Sequence, residues 1–275
     1  MTTSWTQIDP AGVDVRMVVA DMDGTLLDGQ GQLPPGIWEF LAALKSRGVR
    51  FVPASGRQYH TLLHMFQDPE LAYIAENGGV VVAGGERISL IKLGREVYEQ
   101  TVRLIRTLDP VRHAVVACGA DGAYVERSDE TFLADTAQYY ASLNIVDDLL
   151  EVTDDIVKMA VYDSVDPHQS VHLLAPLREG NQVVVSGKAW IDVMDLSCNK
   201  GVGVRMLQER FGITPAQTLS FGDLFNDVEM LEAADYSFAM ANAHPGVIAG
   251  ANYLAPANTE HGVLTVTRAL AGLAG

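Results

Sequence analysis

The sequence predicts an α/β protein, a doubly wound parallel sheet whose core is interrupted by an inserted α+β segment. Three observations carry this. Short apolar runs rich in Val alternate with stretches of helical apolar spacing over the first 80 residues, the order a parallel sheet with crossover helices requires. Several of those runs stop at acidic residues or at a Ser-Gly pair, which places polar groups at the C-terminal edge of such a sheet, where ligands bind. The texture becomes irregular near Val82 and regular again near Ile191, so one core is split in two by an insertion.

Met17–Ala20 reads as a buried strand. Ile37–Ser46 has apolar residues at helical spacing, with Gly48 where a C-terminal cap belongs. Arg50–Ala54 is a second strand, ending in Ser55-Gly56-Arg57. The next helix puts Tyr59, Leu62, Leu63 and Phe66 on one face. Leu71–Ala75 is a third strand, ending in Glu76-Asn77-Gly78-Gly79. Two apolar runs around Gly84-Gly85 form a hairpin. Within the insertion, Ile156–Tyr162 and Gln182–Ser186 read as strands. Lys200–Phe211 is a helix, Thr218–Phe221 a strand before Gly222-Asp223-Leu224-Phe225-Asn226-Asp227, and Tyr236–Met240 a further strand. The expected domains are a core of residues 1–81 and 190–275 and an inserted domain of residues 82–189.

A hydrophobic content of 48% in 275 residues suffices for such a core. The formal net charge of −16 argues against a nucleic-acid partner and against adsorption to an anionic membrane. Cys118 and Cys198 make no disulfide framework and show no metal spacing. Reduced thiols, no apolar run near the ~20 residues of a membrane span and no leader-like start together give the expectation of a cytoplasmic protein.

The chemistry gathers at the strand ends. Asp21 and Asp23, spaced i, i+2 before a Gly, repel one another unless a cation lies between them. Oxygen ligands of this kind suit Mg²⁺, and a carboxylate so placed can attack phosphorus. Alone the pair is equally well read as solvated loop acids. Lys200 alone is a surface lysine, Ser55-Gly56 an ordinary turn, Asp223 and Asp227 helix-capping acids, and Asn77 a left-handed turn residue. Strand ends of one parallel sheet converge, however. Together these groups form a phosphoryl-transfer constellation, in which positioning and charge stabilisation supply nearly all of the catalysis. His60 and His64 lie at i, i+4 without a third metal ligand and read as a polar helix edge. Tyr139-Tyr140 reads as packing within the insertion, and Cys198 as a buried thiol.

In that order, Asp21-Met22-Asp23-Gly24-Thr25-Leu26-Leu27, Ser55-Gly56-Arg57, Lys200 and Gly222-Asp223-x-x-Asn226-Asp227 resemble the four motifs of the haloacid dehalogenase-like (HAD) phosphatases. Ala75-Glu76-Asn77-Gly78-Gly79, Ala239-Met240-Ala241-Asn242-Ala243 and Glu260-His261-Gly262-Val263 are similar to the Cof-type subgroup. The place of the insertion is similar to a C2-type cap. The resemblance implies a Rossmann-like core, a cap that closes during chemistry, and a Mg²⁺-dependent phosphatase of a small phosphorylated metabolite, a sugar phosphate first. It implies Asp21 as nucleophile and Asp23 as general acid and base. Mg²⁺ would be held by Asp21, the Asp23 carbonyl and Asp223. Phosphate would be held by Ser55, the Gly56 N–H and Lys200, with Asn226 orienting it and Arg57 reaching towards the substrate. Thr25 and Asp227 would support the site. A phosphomutase of the same superfamily is the nearest rival; a phospho-accepting signalling domain and a non-catalytic binding protein are more distant ones.

Overall fold

The computed structural model describes residues 2–273; Met1, Ala274 and Gly275, which the expected core includes, lie outside the described residues. The chain divides into two compact units. The first comprises residues 1–56, 68–88 and 199–275, the second residues 57–67 and 89–198.

A nine-stranded sheet organises the first unit. Its strands run in the order Thr3–Ser4, Tyr253–Ala255, Tyr236–Met240, Thr218–Gly222, Met17–Asp21, Arg50–Ala54, Ala72–Ala75, Val80–Ala83 and Glu86–Leu90. Pairing is parallel from the first of these through Ala72–Ala75. It turns antiparallel where Val80–Ala83 folds back on Ala72–Ala75. The hairpin around Gly84-Gly85 therefore continues this sheet past residue 82. The central strand Met17–Asp21 is buried along its whole length, as a strand covered on both faces must be. On one face Val19, Val52, Ile74 and Val81 pack with Val204, Leu207 and Met230 of the helices Lys200–Phe211 and Val228–Glu232. On the other, Phe51 meets Phe40 of the helix Ile37–Ser46 edge-on at 6.1 Å.

The second unit is a six-stranded sheet, mostly antiparallel, in the order Asn181–Val185, Trp190–Asp195, Ile156–Asp163, His113–Gly119, Ala123–Val125 and Leu143–Ile145. Met159, Val161, Ile191 and Val193 form its core with Tyr98, Val102 and Leu174 from the helical segments Arg95–Ile105 and Val171–Arg178. The alternate strand residues Trp190 and Tyr162 face the other way, and Trp190 packs against Tyr139, Tyr140 and Tyr162 at ring distances of 6.0, 6.3 and 5.2 Å. The helix Tyr59–Phe66 groups with this unit for a specific reason. Gln58 exchanges two hydrogen bonds with the backbone of Ser142, and the Thr61 hydroxyl donates to Tyr139 O and accepts from Ala141 N. Both cysteines are buried. No helix among the described residues is long and apolar enough to cross a membrane.

Candidate active site

Each acidic residue of the site stands where a parallel strand of the first unit ends. Asp21 is the last residue of Met17–Asp21, paired with Ala54 at the end of its neighbour, and Ser55 follows Ala54. On the other side Phe221 pairs with Ala20, so Asp223 emerges beside Asp21.

Lys200 reaches this edge because of its helix. The Asn199 side chain caps it by accepting from Val202 N at 2.9 Å. A Cβ at Gly201 would come within 2.2 Å of the Glu229 carbonyl oxygen. Only glycine lets the first turn approach the following helix this closely. Lys200 is thereby fully buried, and its Nζ donates to Asp21 Oδ1 at 2.5 Å and to Asp227 Oδ1 at 2.6 Å.

Asp227 uses its other oxygen to accept from the backbone N–H groups of Asp223 and Leu224, at 2.9 and 3.2 Å. It thus holds both the lysine and the Asp223 turn. Asp223 accepts from the Thr25 hydroxyl at 3.2 Å. Ser55 is buried, and its backbone receives the Asn77 N–H at 2.9 Å and donates to Ile74 O at 2.8 Å. Glu76 and Asn77 take positive φ values of 49° and 54°, and Gly78 follows at 97°. Side-chain residues cost energy in this region, and such strain collects at functional sites. The turn aims the Asn77 amide at Asn226, 3.3 Å away, and a Cβ at Gly56 would lie 3.1 Å from it.

Asp21, Asp223 and Asp227 offer oxygens that all lie within 4.8 Å of one another, with one ammonium among them. The electrostatics show the deficit of positive charge. Burial, then Asp227, push Asp223 up to about 6. Burial and Asp227 also raise Asp21 well above the usual carboxylate range, against the pull of Lys200. Lys200 is raised despite its burial, by the charges of Asp21 and Asp227. A buried, all-oxygen cluster short of positive charge fits a small hard divalent cation.

The structure thus brings together Asp21, Thr25, Lys200, Asp223 and Asp227, with Ser55 and Asn226 joined to the same edge through Asn77. The Asp23 side chain is exposed and stands outside the carboxylate cluster. Arg57 belongs to the second unit, where its guanidinium donates to Gln138 O at 3.2 Å and lies 5.7 Å from the Tyr139 ring centre. Asn77 takes the left-handed turn that an Asn before Gly at a strand end suggests, and its side chain also meets Asn226.

A model of the haloacid dehalogenase-like hydrolase family matches residues 18–266. The chain is 33% identical over 262 residues to 5-amino-6-(5-phospho-D-ribitylamino)uracil phosphatase YbjI of Escherichia coli, across 92% of this chain and 95% of that protein. It is 27% identical over 240 residues to the HMP-PP phosphatase of Cronobacter sakazakii, across 85% of this chain and 87% of that one. Among solved structures, SMU.1108c from Streptococcus mutans superposes with a TM-score of 0.81 at 27% identity, covering 94% of this chain and 99% of its own.

Proposed function

We propose, from the premise that the chain belongs to the haloacid dehalogenase-like hydrolases and is one of their phosphatases of small phosphorylated metabolites, that it hydrolyses a sugar phosphate through a phosphorylated Asp21. The observation that carries this reading is the buried cluster of Asp21, Asp223 and Asp227 around Lys200, at the C-terminal ends of adjacent parallel strands. A carboxylate nucleophile next to a phosphate dianion needs cations, and this cluster is arranged to collect them.

Asp21 attacks phosphorus, forming an O–P bond as the bond to the sugar oxygen breaks. Asp23, exposed at the start of the following turn, gives its proton to the departing oxygen. It then takes a proton from the water that opens the aspartyl-phosphate. Such proton transfers are worth about 10²–10⁴-fold. Ser55, the Gly56 N–H and Lys200 hold the phosphoryl oxygens, and Asn226 orients them. Asp21, the Asp23 carbonyl and Asp223 would hold Mg²⁺, which when bound neutralises the charge gathered on the phosphoryl group. Asp227 keeps Lys200 charged and in place. The second unit, to which Arg57 belongs and which holds none of these groups, selects the leaving group.

A panel of phosphorylated metabolites with Mg²⁺, read by free phosphate and by mass spectrometry of Asp21, tests the reading. Free phosphate with a phosphorylated Asp21 supports it. An isomerised sugar phosphate as sole product replaces it with a phosphomutase, and turnover without modification of Asp21 overturns it.

A further inference from the structure

We propose that Asn242 and Asn258 are positioning residues that clamp the turn carrying Asp23, an inference that rests on the reading of Asp23 as the general acid. The motifs Ala239-Met240-Ala241-Asn242-Ala243 and Glu260-His261-Gly262-Val263 supply none of the groups placed on the phosphate or the metal, yet Asn242 of the first and Asn258, two residues before the second, both donate to the turn that follows Asp23. The Asn242 amide donates to Gly24 O at 2.8 Å. Its oxygen accepts from Asn258 N at 3.0 Å, and the Asn258 amide donates to Leu27 O at 2.8 Å. Two side chains, themselves joined, therefore hold two carbonyls three residues apart.

The turn they hold closes through Leu27 N to Met22 O and is irregular at its centre. Asp23 has extended backbone, and Gly24 has a φ of 82°. A Cβ at Gly24 would meet Asp223 Oδ2 at 2.4 Å, so the peptide after Asp23 lies against the carboxylate cluster. Asp23 is exposed, and the grip on Gly24 O fixes the backbone from which its side chain leaves.

The second motif explains how Asn258 is presented. The Glu260 side chain accepts from Ala257 N at 3.1 Å, and His261 takes a left-handed φ of 54° to turn the chain into the helix Gly262–Leu270. Asn258 is buried, whereas Asn242 is exposed, so the first is the greater risk to folding and the second is the cleaner probe.

A misplaced acid harms substrates in proportion to how much their leaving group needs a proton. The measurement is kcat/KM with Mg²⁺, which reports steps up to aspartyl-phosphate formation, on p-nitrophenyl phosphate and on the best alkyl phosphate of the wild type. For Asn242→Ala the expected loss is about tenfold on the alkyl ester and under about threefold on the aryl ester, at an unchanged melting temperature. Asn258→Ala should move the ratio the same way. Asn252→Ala, which removes a donor to Asp235 O instead, should leave the ratio where it was. Equal losses on both esters for Asn242→Ala, or none, overturn the clamp, provided Asp23→Asn itself discriminates between them. If Asp23→Asn lowers both esters equally, the acid assignment falls and the clamp falls with it.

Discussion

Around Asp163 in the second unit hydrogen-bond donors converge on one carboxylate; around Lys200 in the first unit carboxylates crowd around one ammonium. Asp163 is fully buried and accepts from Arg112 Nε and Nη2, both at 2.8 Å, and from the N–H groups of Val165 and Asp166 at 2.9 and 3.2 Å. Burial alone would raise its pKa, but the hydrogen bonds from Arg112, Ser170 and the backbone hold it well below the usual carboxylate range. Asp223 and Asp21 are pushed the other way by burial and by Asp227. The contrast separates a structural ion cluster from a reactive one. Where every lone pair has a donor and charge balances, the cluster holds two elements together. Where carboxylates outnumber cations in a buried site, something from outside must complete it.

Four experiments test this contrast. Asp21→Asn removes the attacking oxyanion and a metal ligand together, so phosphate release should fall by at least ~10³-fold on every substrate. Near-normal turnover of an aryl phosphate by that variant would remove the reactive label from the cluster. Lys200→Ala should depress all substrates alike, by about 10²-fold, because it strips a charge from the shared phosphate site. A change in substrate ranking instead would assign Lys200 to selectivity.

Cation dependence should follow the same asymmetry. Mg²⁺ should raise the melting temperature of the wild type by a few degrees, since at ~100 times its Kd a ligand adds about 2.7 kcal/mol. The rise should shrink in Asp223→Asn and persist in Asp163→Asn, and chelation should abolish activity in both the wild type and Asp163→Asn. Differential scanning fluorimetry with and without chelator measures this; equal rises in both variants would mean that the cation binds elsewhere.

Asp163→Asn should lower the melting temperature while sparing kcat, the smallest effect on activity of the four. Asp163 ionises at a lower pH in the folded chain than in the unfolded one, where its pKa is about 3.9. Its stabilisation is therefore complete above that value and is lost as the pH falls through the folded one. The gap in stability between wild type and variant should be widest near neutrality and close on acidification below about pH 4. A gap that widens in acid would contradict the balanced reading.

Much of the fold was legible from local pattern. Ile37–Ser46, Arg50–Ala54 and Lys200–Phe211 have the bounds that periodicity and turn residues suggest, because a helical stripe or a buried run is written in consecutive residues. The α/β class, with its parallel core and inserted unit, followed from the alternation of those patterns. The residues at the strand ends were legible too, since carboxylates and a Ser-Gly pair interrupt apolar runs where a parallel sheet offers its binding edge. The contacts of Asn77, Asn242 and Asn258 were not legible. An amide near a glycine or in a loop reads as an ordinary turn former, and nothing local says that its partner lies on another strand end.

The order of elements, the carboxylates and lysine available for chemistry, and the expectation of phosphoryl transfer that their combination carries are all written in the amino-acid sequence. Which of those groups share charge is set by packing in three dimensions. It gave Asp227 both a lysine and a turn to hold, left the Asp23 side chain outside the cluster, and grouped residues 57–67 with the second unit through Gln58 and Thr61. The physical reason is separation along the chain. Lys200 and Asp21 are 179 residues apart, and Asn258 and Leu27 are 231. Contacts at such range depend on how closely whole elements pack, which the Gly201 approach to Glu229 sets here and which no window of neighbouring residues contains.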